Sequence, residues 1–467
     1  MKSKFLTYAL LFALLVIVFQ YANSKRIIDK YENDIKNRND GPLQEQFNEL
    51  HYADIAEILD ELNLDQATYI IKLLDSETTS DVLAELEDDV REKVLQNLSV
   101  KEIADEVKEL DTDDAADLLS ELSPERKQKV IAQIDDEELV ADINELLEYD
   151  ENTAGGLMAK ELVKVYETWT VAGCLRKIRA QAKNVKRVHS IYVVTKKEKL
   201  IGRLSLKDLL IAKNETKISD IFIPKVDSVH VNDDDEDVAR LMAKYDLEAV
   251  PVVDDQKTLL GRITIDDIVD VIKEEAEKDY QLAAGITQDV DAEDSIFALT
   301  KARLPWLFLG LIGGVGAAVI MGTFDTIIED YPLILLFTPL IAAMAGNVGV
   351  QSSAIIVQGL ANDDIKGSIN NRLIKEMLLA ALNGIVLALF LFAFIWVWQQ
   401  DVQTALAVSV SLVAVIIVAG IVGTFIPLFL HKRGIDPAIA TGPFITTSND
   451  IFGILIYFII AKFILNI

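Results

Sequence analysis

A single carboxylate stands in the middle of the last apolar stretch of this 467-residue chain. Asp450 lies about ten residues into the segment from Ala440 to Leu465, which is long enough, at about 1.5 Å per residue, to cross a bilayer as a helix. An ionised carboxylate at the bilayer centre costs roughly 2.5–3.5 kcal/mol, so it usually faces a bundle interior or a wet pathway, where it favours a cation. The alternative is that Asp450 caps a broken helix after Pro443, together with Thr447 and Ser448.

Four more apolar segments precede this one. They are approximately Leu304–Met321, Pro332–Leu360, Met377–Trp398 and Thr404–Leu430. With five crossings, seven of the eight basic residues of 301–467 fall on loops of one face, and only Lys462 falls on the other. Because basic loops stay in the cytoplasm, we expect a multi-pass protein of the cell (inner) membrane whose large polar N-terminal part is cytoplasmic.

The net charge of −29 belongs almost entirely to that polar part. Residues 1–300 hold 37 basic and 65 acidic side chains, whereas residues 301–467 hold 8 and 9. A chain this acidic repels nucleic acid and anionic lipid and suits cations or basic partners. We therefore expect no nucleic-acid partner.

Enzymatic chemistry finds no support in the sequence. None of the four histidines lies in an apolar segment, and neither H-E-x-x-H nor G-x-S-x-G occurs. The single Cys174 excludes an internal disulfide and fits a reducing compartment. We expect a protein that is not an enzyme.

The extreme N-terminus holds one apolar segment that this scheme does not explain. Phe5–Phe19 is flanked by Lys2 and Lys4 before it and by Lys25 and Arg26 after it. It resembles the apolar core of a signal peptide, but export would place the following domains outside, against the charge pattern of the loops. An additional membrane helix and a misassigned start are the other interpretations of residues 1–27.

The acidic region that follows is a repeat of twelve residues. An aliphatic side chain returns at every twelfth position from Leu62 to Leu146, and a second series runs three positions earlier, from Leu59 to Ile143. An i, i+3 pair marks one face of a helix. Each repeat therefore predicts a short helix and a turn, and stacking of such units forms a superhelix with a continuous core. The acids on its outer face, such as Asp113 and Asp117, either bind metal or are simply solvated.

An α/β segment with an internal duplication comes next. Ile191–Val194 and Gly202–Asp208 recur, 59 residues later, as Val250–Val253 and Gly261–Asp267. Each copy predicts strand, turn, strand and a helix capped by Ser or Thr, and it resembles the paired CBS module. A hydroxyl at a helix N-terminus favours phosphate, and the Asp can accept hydrogen bonds from ribose. The alternatives for the pair are nucleotide binding and a purely structural role in dimerisation.

A stripe of acids follows the second copy. Asp267, Asp270, Glu274 and Glu277 recur at spacings of three, four and three, on one side of a helix. Like charges at these spacings repel each other, and a divalent cation would relieve the repulsion. Mg²⁺ needs only one or two carboxylates, because it retains several of its waters. The alternative is an ordinary solvated helix face.

Several motifs, in this domain order, point to one family. They are Thr153-Ala154-Gly155-Gly156-Leu157-Met158, Arg303-Leu304-Pro305-Trp306, Gly346-Asn347-Val348-Gly349-Val350-Gln351-Ser352-Ser353, Lys375-Glu376, and Asp436-Pro437-Ala438 with Gly442-Pro443 and Asp450. Over about residues 40–467 the chain resembles the MgtE family of magnesium channels. Small residues such as Gly346, Gly349 and Ser353 also suit close helix packing, and both interpretations can hold.

The resemblance implies a homodimer in membrane lipid that conducts Mg²⁺ inward along the dimer axis. The ion-binding positions of the pore would be Asp450, Asn347, Gly346 and Thr446. By the same resemblance, a connecting helix at about 273–299 plugs the pore when cytoplasmic Mg²⁺ bridges acidic domains. The implied metal-sensor positions are Asp113, Asp117, Glu236, Asp246, Asp267, Asp270, Glu275 and Asp279. ATP at Ser205 and Asp208 is implied as a regulatory ligand.

Two positions depart from the family pattern. Val350 stands where a polar residue is frequent, and Lys278 replaces an expected acid in the connecting segment. The rival functions are a chloride channel, which a midplane carboxylate opposes, and a non-conducting CBS-containing membrane regulator that senses Mg²⁺ or nucleotide.

The sequence thus predicts a multidomain chain with an all-α superhelical repeat domain, an α/β CBS pair, a connecting helix and an α-helical transmembrane bundle. The expected boundaries are 1–27 for the apolar N-terminal segment, 28–150, 151–214, 215–272, 273–300 and 301–467.

Overall fold

The computed structural model describes residues 28–182, 185, 187–288, 290, 294–361, 368–440 and 442–466. The chain divides into two units, Met1–Ile272 and Lys273–Ile467. The apolar segment Phe5–Phe19 lies outside the described residues.

The first part of unit 1 is a series of short helices, as the twelve-residue repeat predicts. Residues 28–36 form α1. The following helices are α2 Asp40–Phe47, α3 Tyr52–Asp60, α4 Leu64–Ile71, α5 Ser76–Glu85, α6 Asp88–Asn97, α7 Val100–Val107, α8 Thr112–Ser120, α9 Pro124–Ile131 and α10 Glu137–Leu146.

Local capping sets the boundaries of these helices. Asn63 begins α4 and Ser99 begins α7, each with a capping box that satisfies two backbone donors. Leu59, Leu83 and Leu119 of the repeat series are fully buried in one continuous core. Because a helix of two to three turns cannot hide its apolar face alone, each depends on its neighbours in the stack.

The second part of unit 1 contains two three-stranded sheets, with strand orders β1-β2-β3 and β4-β5-β6. The strands are β1 Val163–Tyr166, β2 Ile191–Val194, β3 Leu200–Leu204, β4 Val229–His230, β5 Ala249–Val253 and β6 Leu259–Thr264. The helices are α11 Val171–Gln181, α12 Leu206–Ile211 and α13 Asp235–Tyr245. In both sheets the first pair of strands is parallel and the second is antiparallel, as the duplication requires.

The connecting helix differs from the expected one. α14 runs from Ile265 to Ala284, so it starts inside the second copy and does not continue to residue 300. Gly285 follows with φ +83°, the left-handed conformation that commonly terminates a helix. The prediction of a helix over 273–299 was therefore wrong at both ends. The next helix already begins at Ile296, eight residues before the expected start of the first membrane segment at Leu304.

In the described part of unit 2, five helices are long and apolar enough to cross a membrane. They are α15 Ile296–Gly322, α17 Leu333–Ala361, α18 Ile369–Gln399, α19 Val402–His431 and α20 Gly442–Leu465, and the short α16 Asp325–Asp330 lies between the first two. α19 has the largest buried share of the five, since α17, α18 and α20 all pack on it. Tyr457 ties α20 to α17 by donating its hydroxyl proton to Ile334 O, at 2.8 Å.

Candidate functional site

Asp450 lies in the interior of a continuous helix. α20 begins at Gly442 and Pro443, where proline is well tolerated because a first-turn N–H needs no helical acceptor. Asp450 follows two turns later, so it is no cap of a broken helix and that alternative is excluded. One turn before it, Thr446 donates its hydroxyl proton to Gly442 O at 2.9 Å.

α17 brings a second set of polar groups to the same place. Gly346 and Asn347 lie near the middle of this helix, and α20 comes close there because Gly346 has no side chain. A Cβ on Gly346 would lie 3.2 Å from the methyl group of Thr446. The small residues therefore serve packing and at the same time leave one side of α17 open.

A cavity of about 500 Å³ occupies this side. Its lining residues are Ala342, Ala343, Gly346, Asn347, Val350, Gln351, Thr446 and Asp450. All four of the expected pore positions lie in this set. Carboxylate, amide and hydroxyl oxygens are ligands suited to hard cations, and the volume admits an ion that keeps its waters. Val350 contributes only hydrocarbon, and Gln351 is a polar member that sequence reasoning did not single out.

In unit 1, the structure brings together three of the acids that were expected to sense metal. Asp113 on α8 is buried, and Asp267 at the start of α14 is partly buried. Burial and then the charge of Asp267 raise the pKa of Asp113 well above its ordinary value. Burial also raises the pKa of Asp267 to about 6, although the backbone N–H and the hydroxyl of Thr264 donate to its Oδ2, each at 2.9 Å.

Asp117 completes this group from one turn further along α8. Burial by the surrounding protein, and then Glu151 and Asp267, raise the pKa of Asp117, whereas Arg91 opposes the rise. Its side chain nevertheless remains in contact with solvent, which screens these interactions. The acidic group therefore depends mainly on Asp113 and Asp267.

The junction that carries these acids is held by polar contacts between α8 and the CBS pair. Thr112 donates its hydroxyl proton to Glu161 Oε2 at 2.8 Å, and the backbone N–H of Lys160 donates to Thr112 Oγ1 at 2.8 Å. The buried Arg262 donates from Nε to Glu161 O. Sequence reasoning missed Glu161 and Arg262, because only the fold shows that they meet the repeat domain.

The remaining sensor candidates are more dispersed. Glu236 and Asp246 lie at opposite ends of α13, about 15 Å apart at 1.5 Å per residue. Glu236 pairs with Arg240 at 2.7 Å, and Asp246 is an exposed C-cap with φ +51°. The structure therefore does not bring these two to a common site within one chain.

Along α14 the acids meet other partners. The exposed Asp270 is one of the charges that raise the pKa of Glu85 on α5, after burial. Glu85 therefore belongs to the acidic surface around α14, and it was missed because helix spacing cannot show which repeat faces α14. Further along, Lys278 Nζ forms an ion pair with Glu275 Oε1 at 2.7 Å. The lysine that departs from the family pattern is therefore paired with an acid that was expected to sense metal. Asp279 is partly buried on the same helix.

The described carboxylates form no compact metal-binding cluster. Within the described ranges, no three His, Cys, Asp or Glu side chains are close enough to hold an ion directly. Paired carboxylates without a third ligand suit Mg²⁺ better than Zn²⁺, because Mg²⁺ is held by few carboxylates and retained waters.

The expected nucleotide position lies on the first CBS copy. Ser205 caps α12 and accepts a hydrogen bond from the N–H of Asp208 at 3.4 Å. Both residues are partly exposed. In the second copy the matching Thr264 donates its hydroxyl proton to Asp267 at 2.9 Å, and Asp267 faces Asp113 instead of an open cleft. Only the first copy keeps these groups accessible.

Comparison with known proteins decides the family. Residues 338–460 match the MgtE family of divalent cation transporters, residues 50–152 match the MgtE intracellular N domain, and residues 154–215 and 218–274 match CBS domains. The magnesium transporter MgtE of Enterococcus faecalis is 38% identical over 318 residues, 68% of this chain and 70% of that protein.

The chain belongs to the MgtE family.

A further relative and a solved structure also match large parts of this MgtE chain. The magnesium transporter MgtE of Thermus thermophilus is 35% identical over 324 residues, 69% of this chain and 72% of that protein. A crystal structure of the cytosolic domain of the Mg²⁺ channel MgtE in complex with ATP matches 52% of this chain and 99% of that chain, with a TM-score of 0.50 and 34% identity. The relatives over most of the chain are named as transporters, and the five helices make this MgtE protein a multi-pass membrane protein.

Proposed function

We propose that this protein is a Mg²⁺ channel that admits magnesium into the cell. The observation that carries the proposal is the carboxylate of Asp450, which lies in the interior of a membrane helix and lines a cavity of about 500 Å³. A charge in that position costs free energy unless it faces a polar or water-filled region, such as a path for ions. The oxygen-rich lining suits a hydrated divalent cation, and the relatives carry magnesium in their names.

Influx down the electrochemical gradient needs no coupled energy source. An elementary charge that crosses 100 mV gains about 2.3 kcal/mol, so a divalent ion gains about twice as much. With seven basic residues on the loops of one face, the polar unit is on the cytoplasmic side by the positive-inside rule. Magnesium that enters the cell therefore reaches the side of the membrane on which the proposed sensor acids lie.

A homodimer is part of the proposal. Among the described residues the cavity is lined by α17 and α20 alone, so a closed path needs walls from elsewhere, and a second copy would supply them by symmetry. The second helix of each CBS copy also exposes an apolar pair at matching positions. Leu206 and Leu210 are 53% and 67% exposed, and Ile265 and Val269 are 39% and 56% exposed. Apolar pairs of this kind favour an interface.

Magnesium would regulate its own entry through the acids of the cytosolic unit. The repulsion between Asp113 and Asp267 opposes the contact between α8 and the second CBS copy. A hydrated Mg²⁺ ion between the carboxylates would stabilise that contact and would hold α14 in one position. We propose that this position is the closed state, with Glu236, Asp246, Asp270, Glu275 and Asp279 as further sensor acids.

ATP is the proposed regulatory ligand of the first CBS copy, at Ser205 and Asp208. The two copies share a fold but carry opposite charge. Residues 154–215 hold 14 basic and 5 acidic side chains, whereas residues 218–274 hold 6 basic and 15 acidic ones. A polyphosphate therefore suits the first copy and a cation suits the second. The ATP complex of the similar cytosolic domain supports this division.

Uptake of Mg²⁺ into proteoliposomes tests the proposed function. We expect uptake by the native protein and a loss of at least tenfold in Asp450→Asn, which keeps the shape of the side chain but removes its charge. Asp401→Asn is the matched control, because Asp401 caps α19 outside the cavity and Asn retains the cap. Uptake by neither the native protein nor the control, with Mg²⁺ still bound by the cytosolic unit, would favour the non-conducting regulator.

A further inference from the structure

Asn449, the residue before Asp450, is a polar side chain inside the membrane bundle. It is 1% exposed, and its Nδ2 donates to Ala345 O on α17 at 3.3 Å. Its Oδ1 is also buried and has no hydrogen-bond partner among the described residues. A buried amide with an unsatisfied oxygen costs free energy, so packing alone gives no reason for Asn at this position.

The backbone opposite Asn449 is shaped to receive its amide. A Cβ placed on Gly349 would lie 1.8 Å from Asn449 Nδ2, so only glycine leaves room for this contact. α19 also packs closely on this part of α17, since a Cβ on Gly423 would lie 2.4 Å from Gly349 O. Asn449 therefore packs on α17 at a glycine that also meets α19 closely.

A neighbouring side chain fixes α20 on another side. Thr447 packs on Gly313 of α15, where a Cβ would lie 2.1 Å from its methyl group. Successive residues of a helix are separated by about 100°. With Thr447 directed to α15 and Asn449 directed to α17, the direction of Asp450 into the cavity is determined.

We propose that Asn449 is a positioning residue, which sets the rotation of α20 so that the Asp450 carboxylate faces the ion path. The hydrogen bond to Ala345 O also ties Asp450 to the turn of α17 that presents Gly346 and Asn347. The spacing between the carboxylate and the opposite wall, and with it the discrimination among cations of different size, depends on this bond. The inference rests on the proposed function for its effect on transport, but its geometric part can be tested separately.

The geometric test uses Asp450→Cys in the full-length protein in lipid vesicles. Its rate of modification by a positively charged, water-soluble thiol reagent reports access from the cavity, and the native chain with its single buried Cys174 gives the baseline. Adding Asn449→Leu, which keeps the branched shape of the side chain and removes the hydrogen bond, is expected to slow modification about tenfold. The control adds Ser409→Ala instead. Ser409 is a buried residue of α19 whose hydroxyl has no hydrogen-bond partner in the described part of the chain, and its removal is expected to leave the rate unchanged.

The transport test uses Asn449→Leu and Asn449→Ser with Asp450 intact. We expect the half-saturating Mg²⁺ concentration to rise about fivefold and the Mg²⁺ to Ca²⁺ uptake ratio to fall by a similar factor, per folded molecule. Should Asn449→Leu fail to fold, Asn449→Ser, which is smaller and still polar, keeps the test open. Equal modification rates and an unchanged uptake ratio in a folded variant would overturn the proposal. Altered modification rates without any native Mg²⁺ uptake would support the positioning role and overturn the proposed function instead.

Discussion

Asp113 of the repeat domain and Asp267 of the second CBS copy face each other across a junction that also contains the buried Arg262. The charge of Asp267 is the largest contribution after burial to the raised pKa of Asp113. Arg262 lies 3.9 Å from Asp111 and lowers the pKa of Asp267, so it neutralises the pair only in part. The junction is therefore weakest when both carboxylates are ionised and no cation is bound.

Asp113→Asn should make the junction less dependent on magnesium. The amide removes one of the two charges, so we expect the melting temperature of the variant in EDTA to rise by several degrees and its further gain on addition of Mg²⁺ to shrink. Thermal unfolding followed by fluorescence measures both values. Glu125→Gln, an exposed acid on α9, is the matched control. An equal Mg²⁺ gain in both variants would contradict the role of Asp113.

Stability without metal should fall as pH rises. The pKa of Asp267 is raised from 3.8 to about 6, so between these values the unfolded chain releases a proton that the folded chain retains. The loss is complete once pH exceeds the folded pKa and amounts to about 3 kcal/mol at most, by order of magnitude. Burial and the charge of Asp267 also raise the pKa of Asp113 well above its ordinary value, so Asp113 acts in the same direction.

Melting temperatures at pH 5 and pH 8 test this dependence, in EDTA and in excess Mg²⁺. We expect a lower melting temperature at pH 8 in EDTA, a smaller difference with Mg²⁺, and a smaller difference in Asp113→Asn than in the native protein. A melting temperature in EDTA that rises from pH 5 to pH 8 would contradict the raised pKa values of these carboxylates in the folded protein.

Lys278→Ala should increase the sensitivity to cytoplasmic magnesium. Its ammonium pairs with Glu275 Oε1 at 2.7 Å, so its removal frees a carboxylate on α14 and lowers the local positive charge. The pair is on the surface and contributes about 0.2–1 kcal/mol, which predicts a shift of about 1.4- to fivefold in the Mg²⁺ concentration that halves uptake. Lys273→Ala on the same helix is the control. An identical concentration for both variants would show that Glu275 does not take part in sensing.

Two glycine-to-alanine substitutions in the membrane unit should differ in their effect on stability. Gly349→Ala places a Cβ 1.8 Å from Asn449, so α17 and α20 must separate and we expect a loss of folded protein. Gly310→Ala on α15 meets nothing within 4 Å and should be neutral. Size-exclusion chromatography after heating in detergent compares the two. Comparable survival of both variants would contradict the close contact at Gly349.

Much of the fold follows from local pattern in the sequence. The twelve-residue period predicts the short helices from α3 to α10, because most repeats carry a buried apolar pair and several begin at a side-chain cap, such as Asn63, Asp75 and Ser99. The 59-residue duplication predicts β2, β3, β5 and β6. Length and hydropathy predict the five membrane helices, and the isolated charge of Asp450 directs attention to the cavity before any contact is known.

Contacts between distant segments could not be predicted in the same way. Glu236 and Asp246 were grouped with Asp113 by the resemblance to the family, but the structure places them at opposite ends of α13. The end of α14 was missed because the backbone of Gly285, and not a change of composition, terminates it. Asn449 was not singled out from the sequence, because its partner Ala345 lies more than 100 residues away in the chain.

The most direct test of the account is an electrical recording of the purified protein in a planar bilayer with unequal Mg²⁺ on the two sides. A magnesium channel predicts a current whose reversal potential moves by about 30 mV for each tenfold change in the Mg²⁺ gradient, as expected for a two-charge ion. It also predicts that Asp450→Asn abolishes this current while Asp401→Asn retains it. A full Mg²⁺ current through Asp450→Asn, or none through the native protein under metal-free cytoplasmic conditions, would contradict the account.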